Sequence, residues 1–367
     1  MIYFLACLLS VLFSLKLTKQ RTNYEVNRID WSIRTKNSNT ANIVLMILAG
    51  VPPFFVSAFR YDIGTDYFYS YVPRFQDIVA GMDTYFERGF HYLNVLIALF
   101  TDNYQWLFIV TSFLFIAFVY KTIYDQASNI PMAIIMLFLT YTYFISLNNI
   151  RQSLAMAMVL YALKYLKEKH YGKFIVWVIA AGFIHQVAFI CLIFTVLDKI
   201  KLSAKWAVVF STAALILAQT VAPFLLSQLA KIERFSMYLE SGLYAERTMS
   251  RMGILFNLCI LIMFAFMEWL WNDTLKKDSE WNQIIWWQCL LVCCSALDGI
   301  VPAIYRIARV FSFGQFLLMV NAVEKAKSKE WKIIYYIIIL AIFGIMYLQM
   351  YITGAEEIFP YKSIFFK

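Results

Sequence analysis

The chain has 367 residues, of which 62% are hydrophobic and 15% are charged, and its mean hydropathy is +0.65. This composition excludes a soluble domain of this size and is typical of an integral membrane protein. The net charge of +9 is concentrated in short connecting segments. We therefore interpret it as a topology signal and expect no nucleic-acid partner.

Apolar stretches of roughly 15 to 24 residues recur along the chain between short polar connectors. Because backbone polar groups in lipid must be satisfied within the protein, the pattern predicts an all-α integral membrane protein. We expect a polytopic helical bundle of about 10 to 12 segments that includes short re-entrant or broken helices. No internal repeat and no linker rich in proline, glycine or serine is visible in the sequence, so residues 1–367 are predicted to form a single domain.

The first apolar stretch, residues 1–15, has neither a positively charged start nor a small-residue cleavage site. We interpret it as a retained first helix rather than a cleaved signal peptide. All six cysteines lie inside apolar runs without a Cys-x-x-Cys pair, which indicates a packing role.

The distribution of Lys and Arg predicts which loops face the cytoplasm. Four basic segments are assigned to the cytoplasmic side by the positive-inside rule: 16–40, 164–173, 198–205 and 324–332. The more acidic segments 60–88 and 230–252 are predicted to be outer loops. This topology places nearly every unexplained polar group on the outer side, as expected for a single cavity-lining site.

Two apolar runs do not fit ordinary spans in this topology. Residues 89–100 form a run of about a dozen residues, which suits a re-entrant or interfacial helix. Residues 174–197 have basic loops at both ends, so we predict a short hairpin broken near residues 182–186. An ordinary single span is the alternative for the second run.

The first cluster of candidate site residues follows the second apolar stretch. Arg60, Asp62 and Asp66 lie within seven residues, and Gly64 frees the backbone to turn. Such a turn would bring two carboxylates and a guanidinium together, suitable for accepting a proton and for binding phosphate. The alternative is an ordinary Asp–Arg pair at the membrane interface.

Glu87 lies two residues before the short run that starts at Gly89, and Asn94 follows on the same predicted helix face. A carboxylate here is a further candidate for proton transfer. Acidic groups also stabilise helix N-termini, so the alternative is a simple cap.

Arg151 lies in the polar pentapeptide 148–152, between two apolar runs and beside Asn149 and Gln152. A charge in such a position is costly unless it is paired or lines a wet cavity. A fixed cation at a helix start forms an anion site, which predicts binding of phosphate or diphosphate. The alternative is an interhelical salt bridge to Asp298.

His185 is a lone histidine in an apolar run. No second histidine or cysteine cluster accompanies it at ligand spacing, so we expect no metal. It is a candidate proton acceptor, with a hydrogen-bonded packing role as the alternative.

Arg306 and Arg309 lie three residues apart and therefore share a helix face. That pair suits a lipid-linked diphosphate, or lipid headgroups as the alternative.

The sequence contains no Walker A loop, G-x-S-x-G elbow, H-E-x-x-H motif or Rossmann fingerprint. We therefore expect neither bound nucleotide nor serine hydrolase chemistry, and no cofactor.

Five short motifs in order resemble the EpsG-like branch of the Wzy-type polymerases of capsule, exopolysaccharide and O-antigen repeat units. They are Arg60-x-Asp62-x-Gly64-Thr65-Asp66-Tyr67, Glu87-x-Gly89-Phe90, Asn148-Asn149-x-Arg151-Gln152, Phe183-x-His185-Gln186-x-Ala188 and Arg306-x-x-Arg309-x-Phe311. The resemblance implies a multi-pass GT-C-like glycosyltransferase of the bacterial inner membrane, acting on its outer face. Its reaction would transfer a growing glycan from undecaprenyl diphosphate to a hydroxyl of the next lipid-linked repeat unit.

For that reaction we predict a role for each candidate residue. Asp66, Asp62 and His185 compete, in that order, to be the base, with Glu87 as a further carboxylate. The predicted diphosphate-binding residues are Arg151, Arg306, Arg309 and Arg60. Those predicted to contact glycan are Tyr67, Tyr69, Tyr71, Asn149 and Gln152. The arginines would supply the charge, so no metal is expected, and the partners would be lipid-linked donor and acceptor, the bilayer, a flippase and a chain-length regulator.

Three rival functions stay open at this point. A lipid-oligosaccharide flippase also has about a dozen helices, but such transporters usually show two related halves. A glycan ligase would run the same transfer onto a different acceptor. A membrane O-acyltransferase would use His185 with an activated acyl donor from the cytoplasmic side.

Overall fold

The structure is a computed structural model that describes residues 1–26, 35–231, 251–298, 301 and 304–366. These parts are almost entirely helical, which confirms the all-α fold class. The first nine α-helices are α1 (Ile2–Val26), α2 (Thr35–Ala58), α3 (Val72–Val79), α4 (Arg88–Ala98), α5 (Gln105–Gln126), α6 (Ile130–Leu139), α7 (Thr142–Asn148), α8 (Ile150–Lys167) and α9 (Tyr171–Ile184). The others are α10 (Phe194–Leu197), α11 (Ala204–Leu229), α12 (Arg251–Leu270), α13 (Asn272–Leu275), α14 (Ser279–Ala296), α15 (Ile304–Ser312), α16 (Gln315–Glu324) and α17 (Lys329–Ile352).

The chain, which the sequence predicts to be one domain, clusters into two compact units. Unit 1 contains residues 1–189 and 343–367, and unit 2 contains residues 190–342. In unit 1, α1 packs on α2 and α6, α2 on α5, α5 on α8, and α8 on α9. In unit 2, α14 packs against α11, α12 and α15.

Within the described residues, four helical stretches are long and apolar enough to cross a membrane, and up to six if each bent helix pair is one span. The four stretches are Thr40–Ala58, Gln105–Gln126, Arg251–Leu270 and Lys329–Ile352. The chain is therefore a multi-pass membrane protein. Several of its helices are shorter than the predicted segments because apolar stretches are broken, as between α6 and α7, where the bend is 52°.

The short run predicted for residues 89–100 forms α4, whose 11 residues would extend about 16 Å, roughly half the thickness of a bilayer core. The break predicted within residues 174–197 is confirmed, because α9 ends at Ile184 and His185 is extended with φ −154° and ψ 117°. A 3₁₀ helix, Gln186–Ile193, follows. The re-entrant course of either run stays a prediction.

The segment after α17 returns to the loop that follows α2. The Tyr61 N–H donates to the Lys362 carbonyl at 3.1 Å, and the Gly64 N–H donates to the Glu357 carbonyl at 3.2 Å. The predicted outer loop 60–88 contains a π-helix, Tyr67–Tyr71, and α3. Residues 232–250 of the other predicted outer loop lie outside the described residues.

Candidate functional site

Close packing of α4 against α9 brings the beginning of the first helix to the end of the second. Gly89 permits this approach, since a Cβ atom there would lie 2.7 Å from the carbonyl oxygen of Phe183. As a result, Glu87, which immediately precedes α4, faces His185, which immediately follows α9.

Glu87 accepts two charge-assisted hydrogen bonds from distant parts of the chain. Its Oε1 lies 2.5 Å from His185 Nδ1, and its Oε2 accepts from Arg151 Nη1 at 2.6 Å. Glu87 is the N-cap residue of α4, but its side chain makes no capping hydrogen bond to that helix. Arg151 does form an interhelical salt bridge, but its partner is Glu87 rather than the predicted Asp298. We call these three residues the Glu87–His185–Arg151 cluster.

The electrostatics of the cluster keep Glu87 ionised. Burial acts to raise the pKa of Glu87, but the hydrogen bond from His185 and the charge of Arg151 outweigh it and lower the pKa to about 2. An ionised carboxylate only accepts hydrogen bonds. His185 Nδ1 therefore carries the hydrogen of the shared bond, and on a neutral ring Nε2 is left as a proton acceptor.

Aromatic groups hold Arg151 in place. Its guanidinium carbon lies 4.7 Å from the centre of the Phe86 ring, and the buried Tyr71 lies beside the same side chain. Arg151 Nε has no hydrogen-bond partner among the described residues. The side chains in the cluster remain 12% (His185), 16% (Glu87) and 20% (Arg151) exposed, so a substrate group could reach them.

In the predicted Arg60, Asp62 and Asp66 cluster, Arg60 and Asp62 have different partners in the structure. Arg60 is only 1% exposed, and its Nη1 donates to the carbonyl oxygen of Ser57. Asp62 instead forms a salt bridge of 2.7 Å with Lys362. The predicted interfacial Asp–Arg pair is therefore absent at Asp62, and a lipid diphosphate has no open route to Arg60 in this conformation.

The turn in this loop needs glycine, as the sequence predicts. Gly64 has φ +89°, and a Cβ atom there would lie 2.9 Å from Asn148 Oδ1. The same Asn148 oxygen accepts from the backbone N–H of Asp66 at 2.9 Å. Gly64 and Asn148 thus connect two of the predicted motifs directly.

Glu356 is a residue of this region that sequence reasoning missed. It accepts hydrogen bonds from the side-chain amides of Asn148 and Asn149, the latter at 3.2 Å. Its separation from Asn149 by 207 residues left no local pattern that could have revealed the contact.

The three tyrosines predicted to contact glycan have different environments. Tyr67 is 1% exposed and stacks on Phe108 at 4.2 Å between ring centres. Tyr71 is buried beside Arg151, whereas Tyr69 is 85% exposed. Only Tyr69 among the three presents an accessible ring, because the π-helix turns the other two into the core of unit 1.

The remaining predicted residues lie deeper or in the other unit. Gln152 is buried. Arg306 and Arg309 flank the Tyr305 ring on α15 of unit 2, each guanidinium carbon 5.8 Å from its centre. Their diphosphate role stays a prediction. Among the residues described, no three His, Cys, Asp or Glu side chains are grouped as metal ligands would be.

A model of the EpsG family matches residues 43–363, which is most of the chain and includes the whole cluster. The chain belongs to the EpsG family. EpsG is a Wzy-like polymerase family, so membership implies a polysaccharide polymerase-like function. No curated protein and no solved structure matches this EpsG-family chain.

Proposed function

We propose that this EpsG-family protein is a polysaccharide polymerase that acts on lipid-diphosphate-linked repeat units at the outer face of a bacterial cytoplasmic membrane. It transfers the growing glycan from undecaprenyl diphosphate to a hydroxyl of the next lipid-linked unit. The observation that carries the proposal is the Glu87–His185–Arg151 cluster, which holds a proton acceptor and a cation on the two oxygens of one carboxylate.

His185 acts as the general base in this proposal. The acceptor hydroxyl gives its proton to Nε2 while its oxygen forms the new bond to the anomeric carbon. Glu87 accepts the hydrogen bond from Nδ1, fixes the orientation of the ring and stabilises the imidazolium that forms. We therefore place His185 ahead of Asp66 and Asp62 as the base, because its ring is oriented by Glu87, and Asp62 is in addition engaged by Lys362.

Arg151 stabilises the leaving group. As the bond between the anomeric carbon and the phosphate oxygen breaks, negative charge builds on the diphosphate. A guanidinium fixed in advance by Glu87 and Phe86 meets that charge without reorganising, and the 20% of the side chain that is exposed is available for a phosphate oxygen. Arg306 and Arg309 keep their proposed role in binding a lipid-linked diphosphate, and the exposed Tyr69 ring is proposed to stack on a sugar.

Undecaprenyl diphosphate leaves, and the proton on His185 passes to solvent or to the released diphosphate. The arginines supply the positive charge that metal ions provide in many phosphate-releasing enzymes. The proposal therefore expects turnover to survive chelation of divalent cations.

The test is incubation of the purified protein with a lipid-diphosphate-linked repeat unit, followed by sizing of the products. A ladder of multiples of the repeat unit is expected. A single addition to an unrelated acceptor would identify a ligase instead, and movement of the lipid-linked unit across vesicles without new linkages would identify a flippase.

A matched pair of variants locates the chemistry. His185→Gln should abolish the ladder, while His170→Gln, at an exposed histidine that also contacts a glutamate, should retain it. Equal activity of the two variants would remove His185 from the proposed reaction.

A further inference from the structure

Glu356 is a carboxylate of unit 1 that the reaction proposed above does not use, and a strained turn places it. Glu356 and Glu357 both have left-handed backbone conformations, with φ +65° and +53°, which residues other than glycine rarely adopt. Strain of this kind persists only where the surrounding structure holds it, and it is concentrated at functional sites. Here the Gly64 N–H donates to the Glu357 carbonyl at 3.2 Å, and the Tyr141 hydroxyl donates to the Ala355 carbonyl at 3.1 Å. The backbone that carries the Glu356 side chain is therefore fixed in place.

The carboxylate of Glu356 binds the two side-chain amides that immediately precede α8. Its Oε2 accepts from Nδ2 of Asn148 and from Nδ2 of Asn149, the latter at 3.2 Å. Asn148 is buried, and both ends of its amide are bound. Its Oδ1 accepts from the Asp66 N–H at 2.9 Å, and its Nδ2 also donates to Thr65 Oγ1 at 3.0 Å. The Asn148 side chain therefore has a structural role.

Asn149 differs from Asn148, because only one end of its amide is bound. A carboxylate accepts hydrogen bonds and cannot donate them, so Glu356 holds Nδ2 towards itself and directs Oδ1 away. That oxygen has no hydrogen-bond partner in the part of the chain that the structure describes, and it is not buried. Asn149 thus presents a fixed and accessible hydrogen-bond acceptor.

The position of Asn149 in the helix makes its unbound oxygen informative. Asn149 is the N-cap residue of α8, where an asparagine oxygen ordinarily accepts from a backbone N–H of the first turn. Asn149 makes no such capping bond. Glu356 therefore holds the amide in an arrangement that forgoes helix stability, and local rules of this kind are broken mainly at functional sites.

Asn149 lies close to the cation of the proposed reaction. It precedes Arg151 by two residues at the beginning of α8, so the two α-carbons are at most about 7 Å apart. That distance is shorter than an oligosaccharide. One bound repeat unit can therefore reach Arg151 and Asn149 together.

We infer that Asn149 Oδ1 accepts a hydrogen bond from a sugar hydroxyl of the bound repeat unit, and that Glu356 is the positioning residue that holds the amide for it. The identity of the ligand rests on the proposed function. A sugar hydroxyl supplies the donor that an amide oxygen needs, whereas an ionised phosphate has no hydrogen to donate and would be repelled by Glu356. The contact therefore selects the glycan part of the substrate rather than its diphosphate.

The experiment measures equilibrium binding of a fluorescently labelled, lipid-diphosphate-linked repeat unit to the purified, detergent-solubilised protein. Asn149→Ala should weaken binding roughly tenfold, because one hydrogen bond to the glycan is lost. Glu356→Gln should weaken it roughly threefold, because the amide that replaces the carboxylate accepts a weaker hydrogen bond. Glu357→Gln, at the exposed neighbouring glutamate, is the matched control and should bind like the wild type.

The double variant separates positioning from a general structural role. If Glu356 acts through Asn149, Glu356→Gln should cause no further loss of affinity when Asn149 is already alanine. A structural effect of Glu356 through Asn148 would persist in that background. Equal losses in the two backgrounds would therefore overturn the positioning role.

Asn149→Ala tests the inference even if Glu356→Gln does not fold. Its side chain is partly exposed and makes no capping bond, so the variant should fold, and wild-type affinity in it would overturn the inference.

Ladder formation by the same proteins distinguishes this inference from the proposed function. The KM for the repeat unit should rise in Asn149→Ala while kcat stays within about twofold of the wild type, as expected for a contact that serves binding. Binding that depends on Asn149 without any ladder would contradict the polymerase proposal and leave the contact in place. A ladder with an unchanged KM in Asn149→Ala would contradict only the inference.

Discussion

Two histidine–glutamate pairs in unit 1 have the same chemistry and opposite environments. His170 and Glu168 are two residues apart, 3.1 Å from each other and more than half exposed. His185 and Glu87 are 98 residues apart, 2.5 Å from each other and 12% and 16% exposed. An exposed pair is screened by water and worth at most about 1 kcal/mol. The His185–Glu87 pair, joined by Arg151, is largely shielded from water and held in one geometry, so it can act as a site.

The largest expected difference between the two pairs is in turnover after loss of the histidine. His185→Gln should lower the initial rate of ladder formation by about 10²–10⁴-fold, because the acceptor hydroxyl loses its base. His170→Gln should leave the rate unchanged. Product sizing over time measures both, and a comparable fall in the two variants would contradict the distinction between the pairs.

Arg151, the cation that forms a salt bridge with Glu87, can be tested next. Arg151→Lys should lower the rate by about 10²–10³-fold, since a lysine ammonium cannot contact Glu87 and a diphosphate with the same planar geometry. Arg74→Lys, at a partly exposed arginine paired with Asp77, is the matched control. Full activity of Arg151→Lys would show that a point charge suffices. The proposal would then no longer need a guanidinium that contacts both Glu87 and the diphosphate.

Loss of the shared carboxylate should have a smaller effect. Glu87→Gln keeps the size of the side chain but removes the charge that orients His185, so we expect a fall of roughly 10- to 100-fold. Glu168→Gln should behave like the wild type. The rate measurement is informative only if both variants retain the wild-type circular dichroism spectrum and elution volume.

The smallest expected effect is on acid stability. The pKa of Glu87 is lowered from 4.5 to about 2, so its ionised form contributes stability above the ordinary pKa, and that contribution is lost as pH falls from about 4.5 towards 2. The advantage of the wild type over Glu87→Gln in thermal unfolding should therefore shrink across this window. A difference in unfolding midpoint between the two proteins that stays constant from pH 7 to pH 3 would contradict this prediction. Glu168→Gln serves as the control.

Local features of the fold followed from the sequence. The apolar stretches predicted an all-α membrane protein, the short run after Glu87 predicted α4, and the polar interruption around His185 predicted the end of α9. Each depends on residues that are near one another in the chain, where hydropathy and helix length are sufficient evidence. Glu87, Arg151 and His185 were each identified as candidates for the same reason.

Their association was decided only by the tertiary structure. Arg151 and His185 meet Glu87 across 64 and 98 residues, and no local pattern encodes which distant partner a charged side chain will find. The same is true of Arg60, whose motif predicted a site beside Asp62 but whose side chain enters the interior of unit 1. It is also true of Glu356, which reaches Asn148 and Asn149 from the far end of the chain.

The sequence thus determined the membrane helices and the reactive groups. Packing of α4 on α9, made possible by Gly89, determined which of those groups act together, because desolvation and hydrogen-bond geometry depend on the whole surrounding structure.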